Sequence, residues 1–262
     1  MKKRSDQFKP LAPYIGGKSR LAKQIVGKIE KIQHKIYAEP FVGMGGIFLR
    51  RKQIPKAEVI NDINGELVNL YRIVKRYPNE LCRSINCRLS ARQEFERLSK
   101  TFPETLTDIE RAARFLYLQN LAFGGKVCGQ AFGVSIDRPA RFHFVKMQKR
   151  IQAVAERLAS VTIEQMDFER FITRYDTKDT LFYLDPPYWD NETDYGKYVF
   201  RRADFERLKV ILTGIKGRFI LSLNDVPEVR ELFKAFKIEA VSVTYSLSRE
   251  NCTKSGELII SN

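Results

Sequence analysis

The chain predicts an α/β fold: one mainly parallel sheet with helices on both faces, interrupted by an inserted, mainly helical subdomain. Three observations predict it. Short apolar runs alternate with helically spaced apolar residues through the first and last thirds of the 262 residues. A glycine-rich turn, Pro40-Phe41-Val42-Gly43-Met44-Gly45-Gly46, follows directly on the first short strand signal. Between residues 65 and 144 the strand-and-turn pattern gives way to helical stretches and a weakly patterned, glycine-rich segment. The expected organisation is therefore a sheet domain built from 1–64 and 145–262, around an insert spanning 65–144.

Taken in order, Leu21, Ile25, Ile29 and Ile32 recur at helical spacing and predict a helix over 18–33. Ile36 to Glu39 predicts a strand, and after the glycine turn residues 47–52 predict a helix. Glu58-Val59-Ile60 predicts a second strand, ending at Asn61-Asp62. Helices are expected over Glu66–Tyr77, Ala91–Ser99 and Asp108–Leu121 within the insert, and over 146–159 after it. Val161 to Glu164 predicts a strand that runs toward Asp167-Phe168 and a helix over 168–174. Leu181-Phe182-Tyr183-Leu184 is a continuous apolar run of the kind a buried strand needs. Asp204 predicts a helix cap before Phe205, Leu208, Ile211 and Leu212. A strand over 218–223, a helix over 227–236, and closing strands over 241–245 and 257–261 complete the order.

Hydrophobic residues make up 44% of the chain, enough for a real core. Lys and Arg number 46 against 31 Asp and Glu, a net charge of +15, which favours a polyanionic partner. No stretch is long and apolar enough to span a bilayer, and no signal peptide is expected. The cysteines, Cys82, Cys87, Cys128 and Cys252, fit no zinc spacing, and His34 and His143 are the only histidines. Reduced thiols in a cytoplasmic, metal-free, monomeric protein are expected, with Cys128 small and semi-buried. A zinc enzyme or a Ser-His-Asp hydrolase has little material to work with.

The chemistry is concentrated at strand ends. Asp185-Pro186-Pro187-Tyr188 leaves the carboxyl end of a predicted buried strand, the edge where ligands bind in open α/β sheets. Two prolines stiffen the turn. Asp185 and the Pro186 carbonyl are acceptors beside the flat face of Tyr188, a set suited to a planar ring bearing an amino group. Gly43 and Gly45 allow close backbone approach, with Gly43 able to take positive φ. Asp62, at the end of the next strand, is placed to accept both hydroxyls of a ribose. Tyr14-Ile15-Gly16-Gly17-Lys18 is a second glycine turn, and it lacks the phosphate-loop spacing that triphosphate hydrolysis needs.

With these stretches in order, the chain resembles the Dam-type DNA adenine methyltransferases over nearly its whole length. The resemblance is carried by Tyr14 to Lys18, Glu39 to Gly46, Asn61-Asp62, Asp167-Phe168, Asp185 to Tyr188 and Glu257 to Asn262. It implies a Rossmann-like methyltransferase sheet, S-adenosylmethionine as methyl donor, and a DNA-recognition insert. It also implies transfer to the N6 amine of adenine in duplex DNA after base flipping. Carried over, Lys18 would pair with the methionine carboxylate, with Tyr14 packed nearby. Glu39 belongs to the cofactor set, and Phe41 to Gly45 would cradle the methionine part. Asp62 would hold the ribose, Asp167 and Phe168 would bracket the cofactor adenine, and Asp185, Pro186 and Tyr188 would receive the target base. Asn120, Lys126, Gln130, Arg138 and Arg141 would be DNA contacts. Around that last region Ala131-Phe132-Gly133-Val134 departs from the family's polar-proline pattern, so a GATC recognition sequence is not implied. Methylation of the cytosine N4 amine, an RNA or protein amine methyltransferase, and a catalytically silent DNA-binding module are the alternative readings.

Overall fold

The computed structural model describes residues 8–86, 88–133, 142–196, 199–246 and 252–262. Its strands are β1 (Ile36–Glu39), β2 (Ala57–Asn61), β3 (Thr162–Glu164), β4 (Thr180–Leu184), β5 (Arg218–Asn224), β6 (Lys237–Ser246) and β7 (Cys252–Ser261). They form one sheet in the order β3-β2-β1-β4-β5-β7-β6. The first five run parallel, and β7 pairs antiparallel with both β5 and β6. The chain winds outward from β1 to β3 and then returns to lay β4 against the other side of β1. That reversal makes the β1/β4 junction a topological switch point, where a crevice opens beyond the strand ends.

Strand alternation explains the two layers of helix. Tyr37, Ile60, Leu181, Tyr183, Ile220 and Ile259 belong to one buried cluster. Their strand neighbours Ala38, Val59, Phe182, Leu184, Leu221, Leu258 and Ile260 belong to another. Successive side chains point to opposite faces, so a sheet apolar on both must be covered on both. α1 (Ala22–Ile29) contributes Ile25 and Ile29 to the first cluster. α7 (Phe168–Tyr175), α8 (Arg202–Thr213) and α9 (Pro227–Leu232) contribute Phe171, Leu208 and Val229 to the second.

The β2-to-β3 crossover carries the remaining helices: α2 (Gly65–Arg76), α3 (Pro78–Asn86), α4 (Arg92–Lys100), α5 (Asp108–Leu121) and α6 (Phe144–Leu158). Leu70, Leu81, Phe95, Leu116 and Ile151 join the sheet-facing cluster, so the helical stretch and the sheet share one core. α5 begins in a capping box, with Thr107 Oγ1 accepting from the Glu110 N–H and the Glu110 carboxylate accepting from the Thr107 N–H.

Some elements differ from expectation. α1 is shorter than 18–33 because residues 15–21 make turns that leave Lys18 buried beneath the strand ends. After the glycine turn only Phe48–Arg50 is helical, as a 3₁₀ turn, because Arg51 turns extended and reaches back to Glu58. Asp204 is not the cap: α8 starts two residues earlier, and the Asp204 carboxylate reaches back to the Arg201 N–H at 2.6 Å. Cys128 is exposed rather than semi-buried. Among the described residues no helix is long and apolar enough to cross a membrane.

Candidate active site

Four neighbouring parallel strands deliver an acidic residue to the same edge. Glu39 ends β1, Asp62 follows β2, Asp167 follows β3 and Asp185 follows β4. In-register parallel pairing brings these ends together around one cavity of about 370 Å³. That volume falls in the roughly 300–1,000 Å³ range of small-molecule and cofactor sites. Tyr14, Lys18, Glu39, Phe41, Gly43, Asp62, Asp167, Phe168 and Asp185 all line it.

The glycine turn forms one wall. Gly43 adopts φ +49°, and a Cβ there would press on the Tyr14 ring at 3.3 Å. Its N–H donates to Asp62 Oδ2 at 3.0 Å, while Asp62 Oδ1 accepts from the Asn64 N–H at 3.0 Å. Gly45 has a different role from the one expected. It does not line the cavity, and a Cβ there would strike the Tyr71 hydroxyl at 2.9 Å and the Leu49 side chain. Tyr71 in turn donates to the Gly43 carbonyl at 2.9 Å, so Gly45 lets the turn lie flat on α2.

The buried carboxyls are shifted by their surroundings. Burial pushes Glu39 up to about 8, although the Tyr37 hydroxyl, 2.6 Å from Oε2, works against the shift. Burial also raises Asp62 to about 6, opposed by the backbone N–H groups that it accepts from. Phe41 and Phe168 meet at 5.5 Å between ring centroids, and Phe200 packs on both. Asp167 caps α7 by accepting from the Glu169 N–H, and Arg207 donates to the same oxygen at 3.0 Å.

Asp185 lines the same cavity from the end of β4. Its Oδ1 lies 2.5 Å from Lys18 Nζ and accepts from the Ser222 hydroxyl at 2.9 Å. Burial holds its carboxyl above the usual range, and the Lys18 ammonium is the main opposing influence. Lys18 also donates to the Gly16 carbonyl and stands 4.3 Å over the Tyr188 ring. Its partner here is thus Asp185, and its ammonium joins the cavity to the Asp-Pro-Pro-Tyr turn. Pro187 lines the cavity, whereas Pro186 is buried behind it and Tyr188 lies beside it under Lys18.

Several residues of the site were not among the expected catalytic or cofactor residues. Tyr195 lines the cavity, its ring 5.9 Å from Tyr14 and its hydroxyl donating to the Ile15 carbonyl at 2.9 Å. Met166, Ile63 and Phe200 complete the walls. Ser222 and Glu257 support the Asp-Pro-Pro-Tyr turn from β5 and β7.

The expected DNA contacts divide. Lys126 is exposed on the loop after α5. Gln130 Nε2 is spent on Gln119 Oε1 and the Lys126 carbonyl, holding that loop in shape. Asn120 does not face outward: it is buried, and its amide donates to the Leu11 and Leu116 carbonyls. An asparagine in the last turn of α5 falls on the core side of that helix, which the motif alone did not reveal. Arg138 and Arg141 lie outside the described residues. The loop is fastened to the cavity rim, since Ile15 N–H and Gln119 Nε2 both donate to the Gly125 carbonyl, at 3.0 and 2.7 Å. Among the described residues no group of three or more His, Cys, Asp or Glu side chains is placed to hold a metal ion.

The sequence has counterparts among known proteins. Residues 14–247 match the model of the D12 class N6 adenine-specific DNA methyltransferases. The Type II methyltransferase M1.LlaDCHI of Lactococcus lactis subsp. cremoris is 28% identical, covering 100% of this chain and 98% of its own length. The DNA adenine methylase of Haemophilus influenzae is also 28% identical, with 97% and 93% covered. The Type II methyltransferase M.MjaIII of Methanocaldococcus jannaschii is 29% identical, with 90% and 91% covered. With a family match spanning both the glycine turn and the Asp-Pro-Pro-Tyr turn, the chain belongs to the D12 class N6 adenine-specific DNA methyltransferase family.

Proposed function

We propose that the cavity binds S-adenosylmethionine and that Asp185, the Pro186 carbonyl and Tyr188 receive an adenine flipped out of duplex DNA. One observation carries this reading: the wall suited to a nucleoside and the acceptor suited to an amine open onto the same cavity. The residues fit the cofactor. Asp62 retains acceptor capacity for a ribose diol, and Phe41 and Phe168 offer apolar surface to a purine. The amino-acid end would lie along the Gly43 turn, beside Lys18 and Tyr14, which line the same cavity. When bound, the cofactor supplies an activated methyl group on a sulfonium.

The protein's task is then alignment and electrostatics. The adenine amine is a weak nucleophile because its lone pair is delocalised into the ring. Asp185 accepts one of its hydrogens and the Pro186 carbonyl the other, favouring a tetrahedral nitrogen and stabilising the positive charge that develops there. Lys18 must yield Asp185 Oδ1, or share it, as the base enters, and Ser222 keeps the carboxylate oriented meanwhile. Tyr188 stacks on the base, recovering about 1–3 kcal/mol of the few kcal/mol that unstacking costs. We assign residues 65–144 to recognition of duplex DNA, with Lys126 among the contacts, and place the enzyme in the cytoplasm.

The test is methyl transfer from labelled S-adenosylmethionine to methylation-free genomic DNA, followed by digestion to nucleosides. N6-methyldeoxyadenosine is the expected product, and label in N4-methyldeoxycytidine, or none in DNA, would reject the reading. Asp185→Ala is expected to cut turnover by at least about 10²–10³-fold, while the variant still binds DNA and cofactor.

A further inference from the structure

Glu257 is a fully buried carboxylate in a strand whose next three residues, Leu258, Ile259 and Ile260, are buried and apolar. Burying a charge in such company is costly unless it is paired and hydrogen-bonded. Its Oε2 accepts from the Tyr188 hydroxyl at 2.5 Å, a short, charge-assisted bond. Across the β5–β7 pairing Glu257 stands opposite Asn224. Asn224 clasps the next residue of the same turn, accepting from the Trp189 N–H at 3.0 Å and donating to the Trp189 carbonyl at 3.1 Å. Two side chains facing one another across the sheet thus hold residues 188 and 189, one by its ring and one by its backbone. If Tyr188 served only as an apolar platform, phenylalanine over an apolar residue 257 would do as well and avoid the desolvation.

We infer that Glu257 is a positioning residue for methyl transfer, fixing the plane of the Tyr188 ring through its hydroxyl and enriching the ring's negative face. This deepens the proposal above and rests on Tyr188 receiving the target base. A phenol that donates to a carboxylate gains electron density in its ring, and such a face attracts cations more strongly. The Lys18 ammonium, 4.3 Å from the ring centroid, already exploits that face. The amine that becomes positive during transfer would take the place of that ammonium on the face.

The test follows methyl incorporation into methylation-free genomic DNA, separating kcat from KM, with S-adenosylmethionine calorimetry to show that each variant is folded. Glu257→Gln keeps the volume and an acceptor, so a kcat loss of about 3–10-fold is expected, the difference between charged and neutral hydrogen bonds. Cofactor affinity should stay unchanged. Tyr188→Phe should lose about 10-fold, and adding Glu257→Gln to it should cost clearly less than Glu257→Gln costs alone, because the two share the Tyr188 hydroxyl bond. Losses that multiply in the double variant would overturn the inference, by showing that Glu257 acts on Asp185 instead. So would native turnover by Glu257→Gln beside a crippled Tyr188→Ala, which leaves the stacking role of Tyr188 standing. Native turnover by Tyr188→Ala would remove the stacking role and the inference with it. If Glu257→Gln does not fold, Tyr188→Phe breaks the same bond from the other end, and its native turnover would be equally decisive.

Discussion

Both oxygens of Asp62 are engaged by backbone N–H groups, Oδ2 by Gly43 and Oδ1 by Asn64. The Ile63 N–H lowers the pKa of Asp62 as well, so backbone donors orient the carboxylate, and its remaining acceptor capacity is open to a ligand hydroxyl. Burial sets its pKa near 6, and on the proposed function this would give cofactor binding a pH dependence. Below about 6 the group is protonated and loses a charged acceptor; above it, the carboxylate is present. Because the folded value is raised above 3.8, the protonated form is favoured in the free protein, and stability falls as pH rises through that window. A ligand that donates to the ionised form reverses the preference. Affinity for S-adenosylmethionine should therefore tighten as pH rises from 5 to 7.5, measured by calorimetry. Asp62→Asn should flatten that profile and weaken binding by about 10–100-fold, the worth of hydrogen bonds to a charged group. A flat native profile would remove the diol role. Asp62 was legible in the sequence because it ends a strand after a glycine turn. Tyr195, Ser222 and Glu257 were not, since each acts on a partner far along the chain. Tyr195 reaches Ile15 across 180 positions, and Tyr188 reaches Glu257 across 69.

Elements are held in place by a buried charge cluster that no motif announces. Glu58 on β2 receives Arg51 at 2.7 Å, and both Nη atoms of Arg157 on α6 at 2.6 and 2.7 Å. The guanidinium of Arg51 lies 3.4 Å over the Tyr37 ring and that of Arg157 4.0 Å over Phe48. The cluster therefore pins α6, which closes the helical crossover, to the strand whose far end carries Asp62. Glu58→Ala would leave two buried guanidinium groups without their shared carboxylate. The expected loss is about 3–5 kcal/mol of stability, read by urea or thermal unfolding, and replacing all three residues with leucine or methionine should restore much of it. A single-variant loss under about 1 kcal/mol would mean that water already reaches the cluster. Elements with strong local signals were readable: α5 begins and ends where its apolar spacing and capping box put it. α3 was missed because its stripe, Leu81, Cys82 and Ile85, is brief and follows directly on α2 through Pro78. β6 extends to Lys237, beyond the expected 241, because pairing with β7 organises a segment whose outward residues are polar. Such lengths are set by a partner strand rather than by the segment itself.

At the scale of the whole molecule, the net charge of +15 has to be placed before it means anything. The two edges of the sheet differ. At the amino edge Lys35, just before β1, is neutralised by Asp179 at 2.9 Å. At the carboxyl edge Lys126 stands exposed on a loop whose Gly125 carbonyl is bonded to the cavity rim. On the proposed function, DNA drawn to that edge by Lys126 would meet a loop hydrogen-bonded to the Tyr14 to Lys18 turn, so a contact there would be coupled to the cavity rim. Phosphate contacts release counterions, and log K falls with log salt by about 0.9 per contact. The native protein should therefore show a steep salt dependence on unmethylated duplex DNA, and Lys126→Ala should make the slope shallower by about 0.9. Lys35→Ala, on the opposite edge, should leave the slope unchanged. Fluorescence anisotropy over a salt series measures all three. Equal changes for both variants would mean that the charge acts as a diffuse field, and that DNA approaches without regard to the cavity. A change confined to Lys126→Ala would place a phosphate contact at the edge where β1, β2, β3 and β4 deliver their acidic residues, the edge from which the proposed extruded base would have to reach Asp185.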